Sequence, residues 1–300
     1  MTTGRRAVLA AMASSVLAGC AGRKSATSGG TPTSGPPGAP TSAPPGAPAP
    51  NATATPTPTP SATTPTVTRA EIVARYGHAM PHTWGFEAPG VVHALPKGKR
   101  EIALTFDACG GPGGSGYDKA LIDFLRRREV PATLFLNSRW IDANPALFRR
   151  LAAEPLFEIA NHGTRHRPLS VTGRSAYGIP GTRDAGEVYD EIAGNRAELT
   201  RLLGSPPRFF RSGTAYCDDV AARIVTDLGE RFASFSVNGD GGATFTPEQV
   251  RTTVASAPGG SIVICHMNHP EGGTAPGIAA AVPRLLASGH TFVRLSDALD

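Results

Sequence analysis

The sequence has little that would hold it in a membrane or on a nucleic acid. Its opening apolar run, AVLAAMASSVLAG from Ala7 to Gly19, falls short of the ~20 apolar residues a membrane-spanning helix needs. Basic runs are missing. Without Arg5 and Arg6, which precede that run, 27 basic side chains face 24 acidic ones. A charge of +3 is too mild to argue for a nucleic-acid partner, and none is expected. Cysteine is scarce, at four residues: Cys20, Cys109, Cys217 and Cys265. Large apolar side chains are almost absent between residues 21 and 66, where Pro, Thr, Ser, Ala and Gly dominate. Such a segment cannot bury enough surface to offset chain entropy.

What is present begins with an export signal. Arg5 and Arg6 form a short positive region before the apolar run. The run ends in Leu17-Ala18-Gly19-Cys20, which resembles the bacterial lipobox. That resemblance implies a lipoprotein signal peptide over 1–19 and a lipid on Cys20. The Arg pair is compatible with either general or twin-arginine export. Residues 20–66 are then a disordered tether whose prolines favour extended chain. Residues 67–300 form one domain, lipid-anchored on the outer face of the cytoplasmic membrane. With 40 % hydrophobic residues overall, a domain of that length can build a sizeable core.

From Val67 onward, strand and helix patterns alternate. EIALTFD places Ile102, Leu104 and Phe106 on one face and Ala103, Thr105 and Asp107 on the other. YDKALIDFLRRR reads as an amphipathic helix and ATLFLN as a buried strand. PALFRRLAA reads as a helix opening on proline, and FEIANH as a strand. A long helix follows in AGEVYDEIAGNRAELTRLLG. RFFRSG, FASFSVN, SIVICHM and TFVRL read as strands, separated by helices in DDVAARIVTDLGER, TPEQVRTTVASA and GIAAAVPRLLASG. About seven β/α units imply a parallel sheet covered by helices, either open or closed into a barrel. Both architectures build sites at the C-terminal ends of strands. Asp107, Asn161-His162, Arg211, Asp240 and His266 sit at those ends.

His162 and His166, four apart, can present both imidazoles to one ion if the segment turns helically. His266 ends a strand, where a backbone hydrogen bond is the ordinary use. Arg211 follows an apolar run, and a buried carboxylate partner is expected for it. Asp240, in NGDGG, reads equally well as a turn residue. Ser170 to Glu187 is a long connection containing glycines, either a wall of a substrate cleft or a surface insertion.

In order along the chain, T-F-D, N-H-x3-H, F-R and a late aliphatic-x-His resemble the motifs of NodB-type polysaccharide deacetylases, carbohydrate esterase family 4. The resemblance covers about residues 98–297. It implies an α/β fold, a deformed (β/α) barrel, and metal-dependent removal of acetyl groups from an acetamido-sugar polymer such as peptidoglycan or a chitin-like glycan. It implies Asp107 as general base, His266 as general acid, His162 and His166 as ligands of a divalent metal, zinc above others, and Arg211 as the residue orienting the base. Asp240 stands in for an aspartate-tryptophan motif whose tryptophan is missing. Two further departures bear on the metal. The family's second aspartate, its third protein ligand, is Ala108 here, and Gly163 stands where the family has Ser or Thr. Asp107 is then either the base or a ligand. Cys109 could replace the missing ligand, although a disulfide from Cys109 to Cys217 or Cys265 is the favoured expectation. A hydrolase of another C–N bond, metal-free or differently liganded, and a non-catalytic glycan-binding module are the alternatives that Ala108 raises.

Overall fold

A computed structural model describes residues 67–96, 98 and 100–299. The signal peptide, Cys20 and the tether expected from the sequence lie outside them. In chain order the elements are α1 (Arg69–Tyr76), β1 (Trp84–Gly85), β2 (Glu101–Ala108), α2 (Lys119–Arg127), β3 (Ala132–Leu136), α3 (Ser138–Ala143), α4 (Pro145–Ala152) and β4 (Phe157–Asn161). Then come α5 (Ala185–Leu203), β5 (Phe209–Phe210), β6 (Cys217–Asp218), α6 (Asp219–Asp227), β7 (Arg231–Phe232), β8 (Val237–Asn238), α7 (Pro247–Ala255), β9 (Ile262–His266), α8 (Thr274–Ala287), β10 (Thr291–Phe292) and α9 (Leu295–Ala298).

The main sheet is parallel throughout and runs β7-β5-β4-β3-β2-β9-β8, with β10 added to the start of β2. It curls into the deformed barrel expected from the sequence. Its two ends are joined by one stretch of chain. FASFSVN reads as a single strand, but the structure divides it between β7 and β8. Arg231 and Ala233 donate to the carbonyls of Arg208 and Phe210 beside β5, at 2.9 Å each. Ser236 and Gly239 donate instead to Ile262 and Ile264 of β9, at 3.0 and 2.8 Å. The segment changes partner midway, so neither ladder grows long, and the chain crosses from one edge of the curled sheet to the other.

Strand alternation sorts the side chains into two layers. Ile102, Leu104, Phe106 and Ala108 of β2 join Leu134, Leu136, Val263, Cys265 and Met267 in the core beneath α2, α7 and α8. Ala103, Phe135, Ala160, Phe209, Ala233 and Ile262 form a separate cluster inside the barrel. Three of these six are alanines, and the space they leave admits the Arg211 side chain, which is fully buried. Its guanidinium lies 4.0 Å over the Phe135 ring. Both faces of the sheet are therefore covered, which is why β2 and β3 are buried almost end to end.

Helix ends follow their capping residues. Thr68 and Glu71 form a capping box on α1, and Asp118 caps α2 through Leu121. Asp184 caps α5, which ends on Gly204 in a left-handed conformation.

Candidate active site

Asp107 is the last inward-facing residue of β2 and is buried. Arg211 Nη1 donates to its Oδ1 at 2.7 Å and to Thr105 Oγ1 at 3.0 Å. The rest of the guanidinium is held by the carbonyls of Ala233 and Ser234, at 3.0 and 2.9 Å. Arg211 thus has the buried carboxylate partner expected for it. Burial alone would raise the Asp107 carboxyl. The Arg211 guanidinium first, with the neighbouring His162 and His266, outweighs burial and holds it below its ordinary value.

His162 and His166 lie on the loop after β4. The segment does not turn helically, as the spacing suggested. It is bent by two left-handed residues, Gly163 at φ 75° and His166 at φ 62°. Glu191 of α5 holds the bend in place. Its carboxylate accepts from the backbone N–H groups of Arg165, at 2.9 and 3.0 Å, and Arg167, at 3.2 Å. Its backbone carbonyl accepts from Thr164 at 3.0 Å. A Cβ on residue 163 would stand 2.5 Å from Glu191 Oε1, so glycine at this position follows from the glutamate beneath it. The two imidazoles end with ring centroids 4.9 Å apart at 84°.

The donor atoms face one point. His162 Nδ1, assigned the proton, donates to the Arg211 carbonyl at 2.9 Å, which leaves the Nε2 lone pair free. That Nε2 lies 3.8 Å from Cys109 Sγ and 3.6 Å from Asp107 Oδ2. His166 Nε2 is buried and has no hydrogen-bond partner. Cys109, His162 and His166 place one donor atom each within 4.8 Å of one another, and they are the one such group among the described residues. A thiolate and two imidazoles with an open side suit zinc in a catalytic site. Burial would push the Cys109 thiol up, but His166, His162 and His266 draw it well below its ordinary value, toward the thiolate a metal binds.

The disulfide favoured from the sequence does not form. Cys109, Cys217 and Cys265 are all free. Cys265 faces the outer core, and Cys217 packs with Val220 and Leu169 away from the barrel mouth. Strand alternation explains why Cys109 takes the ligand position. Two residues after Asp107 the chain again faces inward, whereas Ala108 points into the apolar layer.

His266 is the register partner of Asp107 on β9. Asp240 is buried beside it and is no mere turn residue. Its Oδ1 meets His266 Nδ1 at 3.0 Å, and its Oδ2 accepts from the His266 backbone N–H at 2.6 Å and from Thr274 Oγ1 at 2.9 Å. Burial would lower the His266 pKa, but the Asp240 carboxylate carries it well above the usual imidazole value. Asp107 and His266 both open on a cleft of about 410 Å³ whose walls include Phe86, Tyr177, Phe235 and Asn238.

A model of the polysaccharide deacetylase family matches residues 94–233. Over that stretch the chain is similar to the polysaccharide deacetylase family. Members of this family, carbohydrate esterase family 4, are metalloenzymes that hydrolyse N-acetyl amide bonds in glycans. The matched stretch holds Asp107, Cys109, His162, His166 and Arg211; the fold adds Asp240 and His266 from beyond it. A peptidoglycan-N-acetylglucosamine deacetylase of Bacillus cereus is 25 % identical over 217 residues, covering 70 % of this chain and 92 % of that protein. A chitooligosaccharide deacetylase of Bradyrhizobium is 28 % identical over 177 residues, covering 58 % and 74 %. The fold also resembles a solved structure of a family 4 pseudoenzyme from Bacillus anthracis. That match has a TM-score of 0.60 and 19 % identity, covering 71 % of this chain and 70 % of the other.

The sequence reading undervalued Cys109 and missed Glu191 and Asn195. The last two carried a usable signal. With Val188, Ile192 and Leu199 they share the buried stripe of α5, and polar residues on an apolar stripe are there to bond something. Asn195 donates to the Leu136 carbonyl and to Asn161 Oδ1, at 2.8 and 2.9 Å, beneath the histidine loop.

Proposed function

We propose that this enzyme removes N-acetyl groups from an amino-sugar polymer, peptidoglycan or a chitin-like glycan, outside the cytoplasmic membrane. It does so with a divalent ion, zinc by preference, held by Cys109, His162 and His166. One observation carries this reading. Three soft and borderline donors converge beside a buried acid held ionised and near a histidine held protonated, and that acid and that histidine line one cleft.

When bound, the ion supplies Lewis acidity to the amide carbonyl and to the attacking water. Every other requirement falls to side chains. Asp107 offers Oδ2 to take the water's proton, because Oδ1 is committed to Arg211. Cys109 takes the ligand position, which frees Asp107 to act as the base. His266, protonated through Asp240, gives its Nε2 proton to the departing amine, which is too basic to leave as an anion. The buried Asp107–Arg211 pair keeps its geometry without solvent reorganisation, which favours a preorganised site.

The charge and composition of residues 1–66 support export and a lipid on Cys20, with the catalytic domain of residues 67–300 held off the membrane by the tether. A glycan at the cell surface is the substrate such a placement suits.

The test is acetate release from N-acetylglucosamine oligomers and peptidoglycan, with the metal content of the same preparation. Wild type is expected to carry near-stoichiometric transition metal and to lose turnover to a chelator. A cobalt-loaded sample should show a thiolate-to-metal charge-transfer band that Cys109→Ser abolishes. Full turnover by a metal-free preparation would sink this reading and favour a metal-free hydrolase.

A further inference from the structure

The cleft has a second feature that the chemistry leaves unused. Its outer wall is aromatic. Phe86 stacks at 4.2 Å on Tyr216 and at 4.9 Å on Phe235, and Tyr177 meets the edge of Tyr216 at 5.5 Å. Tyr177 is 73 % exposed, the most exposed large hydrophobic side chain among the described residues, yet it lines the same cleft as Asp107 and His266. A ring that open contributes little to the core.

Its backbone is held in an unfavourable shape. Tyr177 has φ 52° and Gly178 has φ 76°. Ala176 and Ile179 exchange both backbone hydrogen bonds, at 3.1 and 2.9 Å. This is the pattern of a two-residue hairpin with a type I′ turn, which prefers Asn-Gly to Tyr-Gly. A bulky residue with positive φ persists only where its surroundings impose it, and such residues gather at ligand-binding positions. The hairpin is tied at its base. Ser170 and Thr182 bond each other twice at 2.7 Å, and Val171 donates to Asp218 Oδ2 at 2.7 Å. The ring is therefore presented on a fixed arm over the cleft mouth.

We infer that Tyr177 is a stacking platform for the sugar ring next to the one being deacetylated, and makes the enzyme select polymer over monomer. The inference rests on the glycan reading above. The apolar C–H face of a pyranose fits a flat exposed ring, and Tyr216 fixes the ring's tilt from below. Tyr177 shares the cleft with Asp107 and His266, so a glycan whose acetamido group reacts there has its neighbouring sugar available to this ring. Asn238 and Thr214 on the same cleft supply hydroxyl partners.

The experiment follows KM and kcat of the metal-loaded full chain on N-acetylglucosamine oligomers, from the dimer upward. Wild type is compared with Tyr177→Gly, Tyr177→Asn and Tyr177→Trp. Glycine and asparagine suit the left-handed backbone, so both variants keep the turn while losing the ring. Each is expected to raise KM on the longer oligomers by about three- to tenfold, with a smaller change in kcat. The fall of KM with chain length should flatten in both, and tryptophan should restore it. Unchanged KM in Tyr177→Gly overturns the inference, as does a loss of kcat that is equal at every length. If Tyr177→Gly and Tyr177→Asn diverge, backbone shape rather than the ring is responsible, and the inference fails. A wild type that releases acetate from no glycan fails the proposed function itself, a distinct result that removes the basis for this inference as well.

Discussion

At the scale of single residues, the site consists of two oppositely tuned pairs. Arg211 holds Asp107 ionised and Asp240 holds His266 protonated, each against the cost of burial. The sign of the pH dependence follows. A base whose pKa is lowered sets the acid limb of kcat/KM, below the ordinary carboxylate range. An acid whose pKa is raised sets the alkaline limb, above the ordinary imidazole value. Asp240→Asn removes the charge that favours the imidazolium, so the His266 pKa falls and the alkaline limb moves to lower pH. A pH–rate profile of this variant checks it; an alkaline limb that stays in place would assign that limb to another group. Asp107, both histidines, Arg211 and His266 were legible from the sequence because polar residues at strand ends stand out against apolar strands. Cys109 was legible only as one candidate beside a disulfide, because the direction in which a residue faces just past a strand depends on where the strand stops.

At the scale of elements, β2 continues one residue beyond Asp107, through Ala108, and that length reassigns the third ligand. Ala108 pairs in register with Leu136 and is fully buried among apolar side chains. Ala108→Asp is therefore expected not to supply a metal ligand. It should instead bury an unpaired carboxylate in the outer core and destabilise the fold by about 2–5 kcal/mol. Thermal melting with metal titration checks both parts. A variant that melts like wild type and binds metal more tightly would mean that the strand end can swing inward. The same scale explains the histidine loop. A His-x3-His spacing suggests a helix, but buried Glu191 collects the loop's N–H groups and fixes a left-handed bend. The long helix α5 was evident from its periodicity. That one of its buried-face residues organises the loop beside it could not be read from the stripe alone.

At the scale of the whole molecule, the two edges of the curled sheet are bridged by the stretch between Arg231 and Gly239, which changes partner midway. The barrel mouth brings together residues from β2, β4, β5 and β9 and from the loop after β8. The proposed export and lipid anchoring belong to this scale too. Cys20→Ala is expected to move the protein from the membrane fraction to the soluble fraction while leaving acetate release per molecule unchanged. Fractionation with an activity assay tests it, and retention in the membrane would point to another anchor.

The sequence by itself determined the alternating β/α architecture, the strand ends that carry chemistry and the order of the family's motifs. These follow from local periodicity and from polar residues interrupting apolar runs. Tertiary structure alone decided that Cys109 and not Ala108 faces His162 and His166, that the cysteines stay apart, that Asp240 serves His266, and that Tyr177 overhangs the cleft. Each of these depends on which way a side chain points and on what lies across the barrel, and both are set by register and closure between segments distant in the chain.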